Sequence, residues 1–554
     1  MKKYIFLAIL MTSALHHNDA NACTNLIAGK GATSDGSVMV TYAADSHQLY
    51  GELYYYPAAD HKKGSMREVR EWDSHEHRGY IPEAAHTYSV VGNMNEHQLL
   101  IAESTFGGRH ELINRDGIID YGSLIYITLQ RAKTAREAIK VMTDLVAEHG
   151  YCSSGESFSI ADPNEVWVME MVGRGPKEKG ALWVAVRIPD DCISGHANHS
   201  RIHKFPLNDP ENCIYCPDLI SWARKNGYYS GDNDADFSFS FAFGDWDYSS
   251  LRGCDARVWA YYNMYADGME RYFNWCDGDI TAEILPLYVK PNRKLTVDDL
   301  KAGMRDHFEN TPFDMTKDVG AGPWNSPYRF RPLTYDVDGI TYTHERAIAT
   351  QQTAFVFVGQ VRNWLPNEIG GILWFGVDDA ATTVFIPMYC SMTEIPHSYA
   401  VGTADLLTLN WESAFWVNNF VANQAYDRYY SLMFADIEKV QKRIEGALSL
   451  NQPEIEAKAL QLYKTSPKDA AKYLNDYSVE QAEKATKDYK ALGEYLLVKY
   501  LDGNVKVEDE NGFAKSKDGN PAKPKWPGYD NKYYRNIVKE TGNHFRVKEV
   551  KDPK

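Results

Sequence analysis

The sequence predicts an α+β protein built on antiparallel sheet, and two observations predict it. Short apolar runs separated by turn residues fill residues 23–200 and return at 347–389. Helical periodicity is concentrated after residue 411, so helices are segregated from strands rather than alternating with them.

Taken in order, residues 24–28 form a short apolar strand. Residues 29–36, rich in Gly, Ser and Asp, turn the chain, and 37–42 resume an apolar strand. This hairpin carries Cys23 at the open end of its first strand. Strands at 87–92 and 98–102 flank Asn93-Met94-Asn95-Glu96. Strands at 157–161 and 166–171 flank Asp162-Pro163-Asn164-Glu165. A further strand covers 182–187. Helices are expected at 121–130 and 135–148, the second with Ala138, Val141, Met142, Leu145 and Val146 on one face. The later block holds strands at 353–358, 371–377 and 382–387. Helices follow at 411–435, 436–448, 453–464, 467–476 and 479–501. The tail 502–554 is rich in Lys, Gly, Pro and Asn and reads as irregular.

The first residues read as an export signal. Lys2 and Lys3 precede a mostly apolar run at 4–15 that is too short to span a bilayer. A polar stretch follows, and Ala20-Asn21-Ala22 supplies the small-x-small pattern of a cleavage site. Cleavage there leaves Cys23 as the new N-terminus and places the chain in the periplasm or outside the cell. A lipid-anchored surface protein with an acylated Cys23 is the rival reading. It is disfavoured because Ala20 stands where a lipoprotein signal wants a large aliphatic residue. No later run is apolar for long enough to span a membrane.

A formal net charge of −16 argues against nucleic acid as a partner. Seven further cysteines follow: Cys152, Cys192, Cys213, Cys216, Cys254, Cys276 and Cys390. Cys213-Ile-Tyr-Cys216 has zinc-like spacing, but a second such pair is missing. A disulfide or buried thiols are preferred there to a metal, and no metal or cofactor is expected.

A cysteine at a freshly cut N-terminus has a chemical advantage. The thiolate is the nucleophile, yet free Cys is mostly protonated at neutral pH. The α-amine of the same residue, with a reference pKa of about 7.7–8.0, can take the thiol proton and later pass it to a leaving amine.

The stretch Cys23-Thr24-Asn25-Leu26-Ile27-Ala28-Gly29-Lys30-Gly31-Ala32-Thr33-Ser34-Asp35-Gly36-Ser37 resembles the N-terminal motif of the C69 dipeptidases. These are N-terminal-nucleophile hydrolases related to choloylglycine hydrolase and penicillin V acylase. Further blocks carry the resemblance in order: Asn95-Glu96 with Glu103-Ser104-Thr105, Gly155-Glu156-Ser157-Phe158 with Trp167-Val168-Met169-Glu170, His196-Ala197-Asn198-His199, and Trp374-Phe375-Gly376-Val377-Asp378-Asp379-Ala380. It extends to about residue 430. It implies an αββα sandwich of two antiparallel sheets and hydrolysis of dipeptides. The expected organisation is a signal peptide at 1–22, a catalytic domain at 23–410, a helical extension at 411–501 and the tail at 502–554.

The same resemblance implies site residues. Cys23 matches the nucleophile and its amine the base. Asp45 matches the carboxylate near thiol and amine, although a turn-capping role fits it too. Asn198 matches the side-chain donor to the oxyanion, and Thr105 falls where relatives use a backbone N–H as the second donor. Arg257 matches an arginine near the nucleophile that holds Asp45 or a substrate carboxylate, with a surface salt bridge as the alternative. Tyr42 departs from the pattern, because many relatives carry arginine there. Asp378 and Asp379 read as a turn or strand-end cap rather than a catalytic pair. A pocket carboxylate or cation should recognise the dipeptide's charged end, and the sequence does not name it. An N-acyl amide such as a conjugated bile acid is the alternative substrate. Homo-oligomerisation remains open.

Overall fold

Alternation of side chains along the strands builds the architecture, seen in a computed structural model that describes residues 22–549. The expected export signal at 1–22 lies outside the described residues apart from Ala22. The strands that matter are β1 (Asn25–Ala28), β2 (Val38–Asp45), β3 (Leu100–Gly107), β4 (Gly155–Ala161), β5 (Val166–Gly173), β6 (Ala181–Arg187), β7 (Ile193–His196), β8 (Thr353–Val361), β9 (Ile372–Val377) and β10 (Ile386–Tyr389). A seven-stranded sheet runs Tyr288–Val289, β7, β1, β2, β8, β9, β10. An eight-stranded sheet runs Cys213–Tyr215, β6, β5, β4, β3, then Met94–Asn95, Val90–Val91 and Tyr55–Tyr56. Every pairing in both is antiparallel.

The two sheets stack face to face. On β3, Leu100 and Ala102 enter the core between the sheets, while Ile101 enters a second core under the first two helices. On β5, Val166 and Val168 face inward, and Trp167 and Met169 face those helices. Gly359 on β8 permits the close approach, since a Cβ there would come within 2.8 Å of Leu100 Cδ2. Helices α1 (Tyr121–Leu129) and α2 (Ala135–His149) cover the eight-stranded sheet. Asp120 caps α1 by accepting from the backbones of Gly122 and Ser123, both at 3.0 Å, and Thr134 caps α2. Helices α3 (Ala256–Tyr265) and α4 (Val297–Met304) pack on the seven-stranded sheet. The result is the expected αββα order.

Three further helices, α5 (Ala414–Gln424), α6 (Tyr430–Tyr463) and α7 (Pro467–Lys499), extend that outer layer against β9 and β10. The expected breaks within them do not occur. Helix α6 runs straight through Pro453, which stands where a new helix was expected. The carbonyl of Ser449 that Pro453 leaves without a donor lies at a half-exposed residue, open to water. Helix α7 runs through the polar stretch at 475–478 because Asn475 is turned to use. Its side-chain oxygen accepts from the backbones of Thr393 and Glu394, both at 3.0 Å. The tail is not wholly irregular, for it holds a two-stranded hairpin and helix α8 (Asn531–Thr541).

The strand expected at 382–387 begins later, at Ile386. Thr382 and Thr383 instead form a turn on Asp379, whose carboxylate accepts from the Thr382 backbone at 3.0 Å. Asp378 ends β9 in left-handed backbone at φ 68°. Both aspartates therefore shape a strand end. Cys213 and Cys216 are buried free thiols, as are most of the described cysteines. Among the described residues, no helix is long and apolar enough to cross a membrane.

One buried ion cluster ties α6 to the sandwich. Glu445 accepts from Arg305 at 2.6 and 3.2 Å and from the Phe385 backbone at 2.9 Å. Removing it leaves the Arg305 guanidinium without its carboxylate, while Lys301 keeps Asp298 at 3.2 Å. Glu445→Ala is expected to lower stability by about 3–5 kcal/mol in urea unfolding.

Candidate active site

Cys23 sits where three strands converge. Thr24 bridges to Ala43 on β2, and Asn25 pairs with His196 on β7, so Cys23 lies at the head of β1 between the end of β2 and the turn after β7. Its thiol is buried at 4% exposure and donates to Glu103 Oε1 at 3.3 Å. Tyr42 lies 3.8 Å from the same sulfur, and its hydroxyl donates a short hydrogen bond to Glu103. Burial pushes the Cys23 thiol well up, and the negative charges of Glu103 and Asp45 push it further. In the chain described, Ala22 still precedes Cys23. The nitrogen of residue 23 is therefore an amide and supplies no base.

Asp45 ends β2 beside that peptide bond. Its backbone carbonyl accepts from Ala22 N at 2.7 Å, and its carboxylate accepts from Thr353 Oγ1 at 2.6 Å. Arg346 pairs with the other carboxylate oxygen, and its Nη2 also donates to the Ala22 carbonyl at 2.7 Å. Asp45 is therefore a buried partner of the nucleophile's neighbourhood and not a surface turn cap.

Arg257, on α3, is 1% exposed and clamps the ends of β1 and β7 together. Its Nη1 donates to Cys23 O and Thr24 Oγ1, both at 2.8 Å. Its Nη2 donates to Ala197 O at 3.1 Å and to Asn198 Oδ1 at 2.9 Å. Burial, then the charge of Arg346, pulls the guanidinium down to about 10, so it stays cationic at neutral pH. Neither a surface salt bridge nor a hydrogen bond to Asp45 describes it; the arginine on Asp45 is Arg346.

Asn198 adopts left-handed backbone at φ 57° and turns its amide Nδ2 to Thr105 O at 2.8 Å. Thr105 lies near the end of β3, just before its register shift, and its hydroxyl donates to Glu156 at 2.8 Å. The structure thus brings Cys23, Asp45, Asn198, Arg257 and Thr105 into one neighbourhood. Glu103 belongs there too; its block is visible in the sequence, its role is not. Arg346 carries no sequence signal at all, since it lies 301 positions from its partner Asp45.

Two buried carboxylates hold the turn that presents Asn198. Glu170 accepts from Ser200 Oγ at 2.5 Å and from the Ile202 backbone at 3.3 Å. Asp255 accepts from His199 Nδ1 at 3.0 Å and Trp275 Nε1 at 2.7 Å. Burial opposes the charge on Asp255, yet His199 and Arg201 hold its carboxyl well below the usual range.

His196 is wedged between Ser104 Oγ at 2.6 Å and Ser159 Oγ at 2.8 Å. Burial, then the nearby Arg201 charge, pulls it down to about 3. An unfolded histidine titrates near 6.5, so acid protonates the unfolded chain first and the neutral ring's contribution is lost as pH falls from about 6.5 towards 3. His196→Gln removes that liability. Its stability deficit at about pH 7 is expected to shrink by about 1.4 kcal/mol per unit below about pH 6, measured by urea titration. A deficit independent of pH contradicts the neutral buried ring.

A pocket opens beside the thiol, lined by Cys23, Tyr42, Asp45, Asp73, Glu103 and Tyr121 with several apolar neighbours. Burial raises Asp73 to about 6, against a hydrogen bond from Tyr121 at 2.9 Å.

The chain is 25% identical over 446 residues to a "Probable dipeptidase" of Latilactobacillus sakei, covering 76% of this chain and 84% of the relative. It is 25% identical over 426 residues to a "Probable dipeptidase" of Salmonella dublin, covering 71% and 86%. A "Dipeptidase" of Bifidobacterium longum is 24% identical over 445 residues, covering 72% and 76%. The family model for peptidase family C69 matches residues 22–443, from the residue before the buried thiol into α6, and the chain belongs to that family.

Proposed function

We propose that this chain is an exported cysteine dipeptidase whose nucleophile is Cys23 and whose general base is the α-amine of that residue. The observation that carries the reading is the setting of the Ala22–Cys23 peptide bond. Asp45 and Arg346 grip Ala22 at both its N–H and its carbonyl, directly beside the thiol. Removal of the residues up to Ala22 turns an amide nitrogen into an amine at that spot. The amine's positive charge there offsets the two carboxylates that hold the thiol protonated.

The reaction then follows from the residues. The amine takes the Cys23 proton and the thiolate attacks the peptide carbonyl. The oxyanion is met by the Asn198 amide and the Thr105 N–H. The ammonium returns the proton to the leaving amine, the C–N bond breaks, and a thioester remains on Cys23. Water, deprotonated by the same amine, hydrolyses the thioester and regenerates the thiol. Arg257 fixes the Cys23 carbonyl and Asn198 relative to one another, which makes it a positioning residue.

Purified protein beginning at Cys23, assayed on dipeptides and on glycine-conjugated bile acids, tests the substrate class. Turnover of dipeptides alone is the expected result, and turnover of bile-acid conjugates alone replaces it with an N-acyl amidase. Intact mass of the exported N-terminus tests the base. A lipid adduct on Cys23 eliminates the free-amine mechanism.

A further inference from the structure

A thiolate attacks a carbonyl carbon from about 3–3.5 Å, and in a dipeptide the α-ammonium nitrogen is two bonds, about 2.5 Å, from that carbon. The ammonium of a bound dipeptide is therefore held within roughly 6 Å of Cys23 Sγ, and whatever lines that volume must pair with it.

What lines it is acidic and aromatic. Glu103 Oε1 lies 3.3 Å from the sulfur, and Tyr42, Asp45, Asp73 and Tyr121, with Ser46 and Asn93, supply the other polar groups, with no Lys or Arg among the lining residues. Glu103 is 2% exposed, and its Oε2 is buried without a hydrogen-bond donor. Tyr42 offers its other oxygen a hydrogen bond but no charge. Behind it lies Glu156, equally buried; burial and then the charge of Glu103 push its carboxyl well up, and burial raises Glu103 as well. A buried carboxylate facing a cavity with no cationic partner is a built receptor for a cation.

The opposite side has the opposite sign. Across the Asp45–Arg346 ion pair a second pocket is lined by Arg346, Arg329 and Arg331. Arg346 Nε is buried without a partner, and its Nη2 loses the Ala22 carbonyl when that residue is removed. A zwitterion placed over Cys23 with its ammonium towards Glu103 directs its carboxylate end towards this basic side.

We infer that Glu103 is the subsite for the substrate's α-ammonium group, so that the enzyme selects peptides with a free N-terminus. The inference rests on the dipeptidase reading above and adds the group that makes it an exopeptidase.

The test uses the mature protein on Ala-Ala and on propionyl-Ala, which differs in lacking only the ammonium. Wild-type enzyme is expected to favour Ala-Ala by about 100-fold or more in kcat/KM. Glu103→Gln is expected to lower the preference for Ala-Ala over propionyl-Ala by about 30-fold or more in kcat/KM, chiefly through the KM for Ala-Ala. Iodoacetamide should still label Cys23 in that variant. Glu103→Asp, which keeps the charge, should recover part of the loss and covers the case in which the Gln variant does not fold. Equal losses on both substrates with slowed labelling would overturn the inference, because Glu103 would then act on the thiol. So would wild-type indifference to the ammonium. Cleavage of neither substrate by wild-type protein is a different outcome: it fails the dipeptidase reading itself.

Discussion

Cys23→Ala is expected to lower kcat on dipeptides by on the order of 10⁴-fold or more while leaving the fold intact. The two halves of that statement have separate causes. The proposed mechanism has no second nucleophile, since water would need both the amine base and a site that the missing acyl group defines. The fold half follows from packing. The thiol is buried, and its side-chain polar contacts are to Tyr42 and Glu103, at 3.8 and 3.3 Å. Its loss removes a small group, and the change in unfolding free energy should stay within about 1–2 kcal/mol. Steady-state assay and urea unfolding of the same preparation check both. Retained hydrolysis moves the nucleophile elsewhere.

Asp45→Asn is expected to damage stability and activity together. The carboxylate is 1% exposed and is the anion for Arg346, whose side chain is 7% exposed. Neutralising it leaves a buried guanidinium unpaired, at a cost of about 3–5 kcal/mol. Activity should fall by about 100-fold or more if, as proposed, this carboxylate orients the amine of residue 23 and stabilises its protonated form. The double variant Asp45→Asn with Arg346→Met separates the effects. Removing the orphaned cation should return part of the stability measured in urea and none of the activity. Recovery of activity would assign Asp45 to holding Arg346 and nothing more.

The site shows what a chain read in one dimension can reveal. Cys23 stands out in the sequence because its signals are local: an apolar run, a small-x-small step and a strand expected immediately after, and the strand is there at Asn25–Ala28. The hairpin of β4 and β5 was legible for the same reason, with Asp162-Pro163-Asn164-Glu165 turning the chain between two alternating runs. Asp45 and Asn198 were visible through family resemblance, yet their neighbours were not. Tyr42 looked like a missing cation. In the folded chain it is the hydrogen-bond partner of Glu103, and the cation beside Asp45 arrives from residue 346.

The helices show the complementary failure. Pro453 and the polar stretch at 475–478 are local breakers, and both lie inside long helices. Helix ends there are decided by docking against the sandwich, where Asn475 caps a loop from 82 residues earlier and Glu445 meets Arg305. Local propensity is worth tenths of a kcal/mol per residue, and such contacts outweigh it.

The sequence by itself determined the antiparallel α+β class and the hairpins of β1 with β2 and of β4 with β5. These depend on side-chain period and turn residues, which act over a few neighbours; the turn expected at Asn93–Glu96 is instead partly a strand, Met94–Asn95, paired on both sides. Only the tertiary structure decided which charges meet Cys23. Glu103 reaches it across 80 positions, Arg257 across 234, and Arg346 reaches Asp45 across 301. Each pairing is produced by strands and helices closing on one another, and no local pattern encodes it.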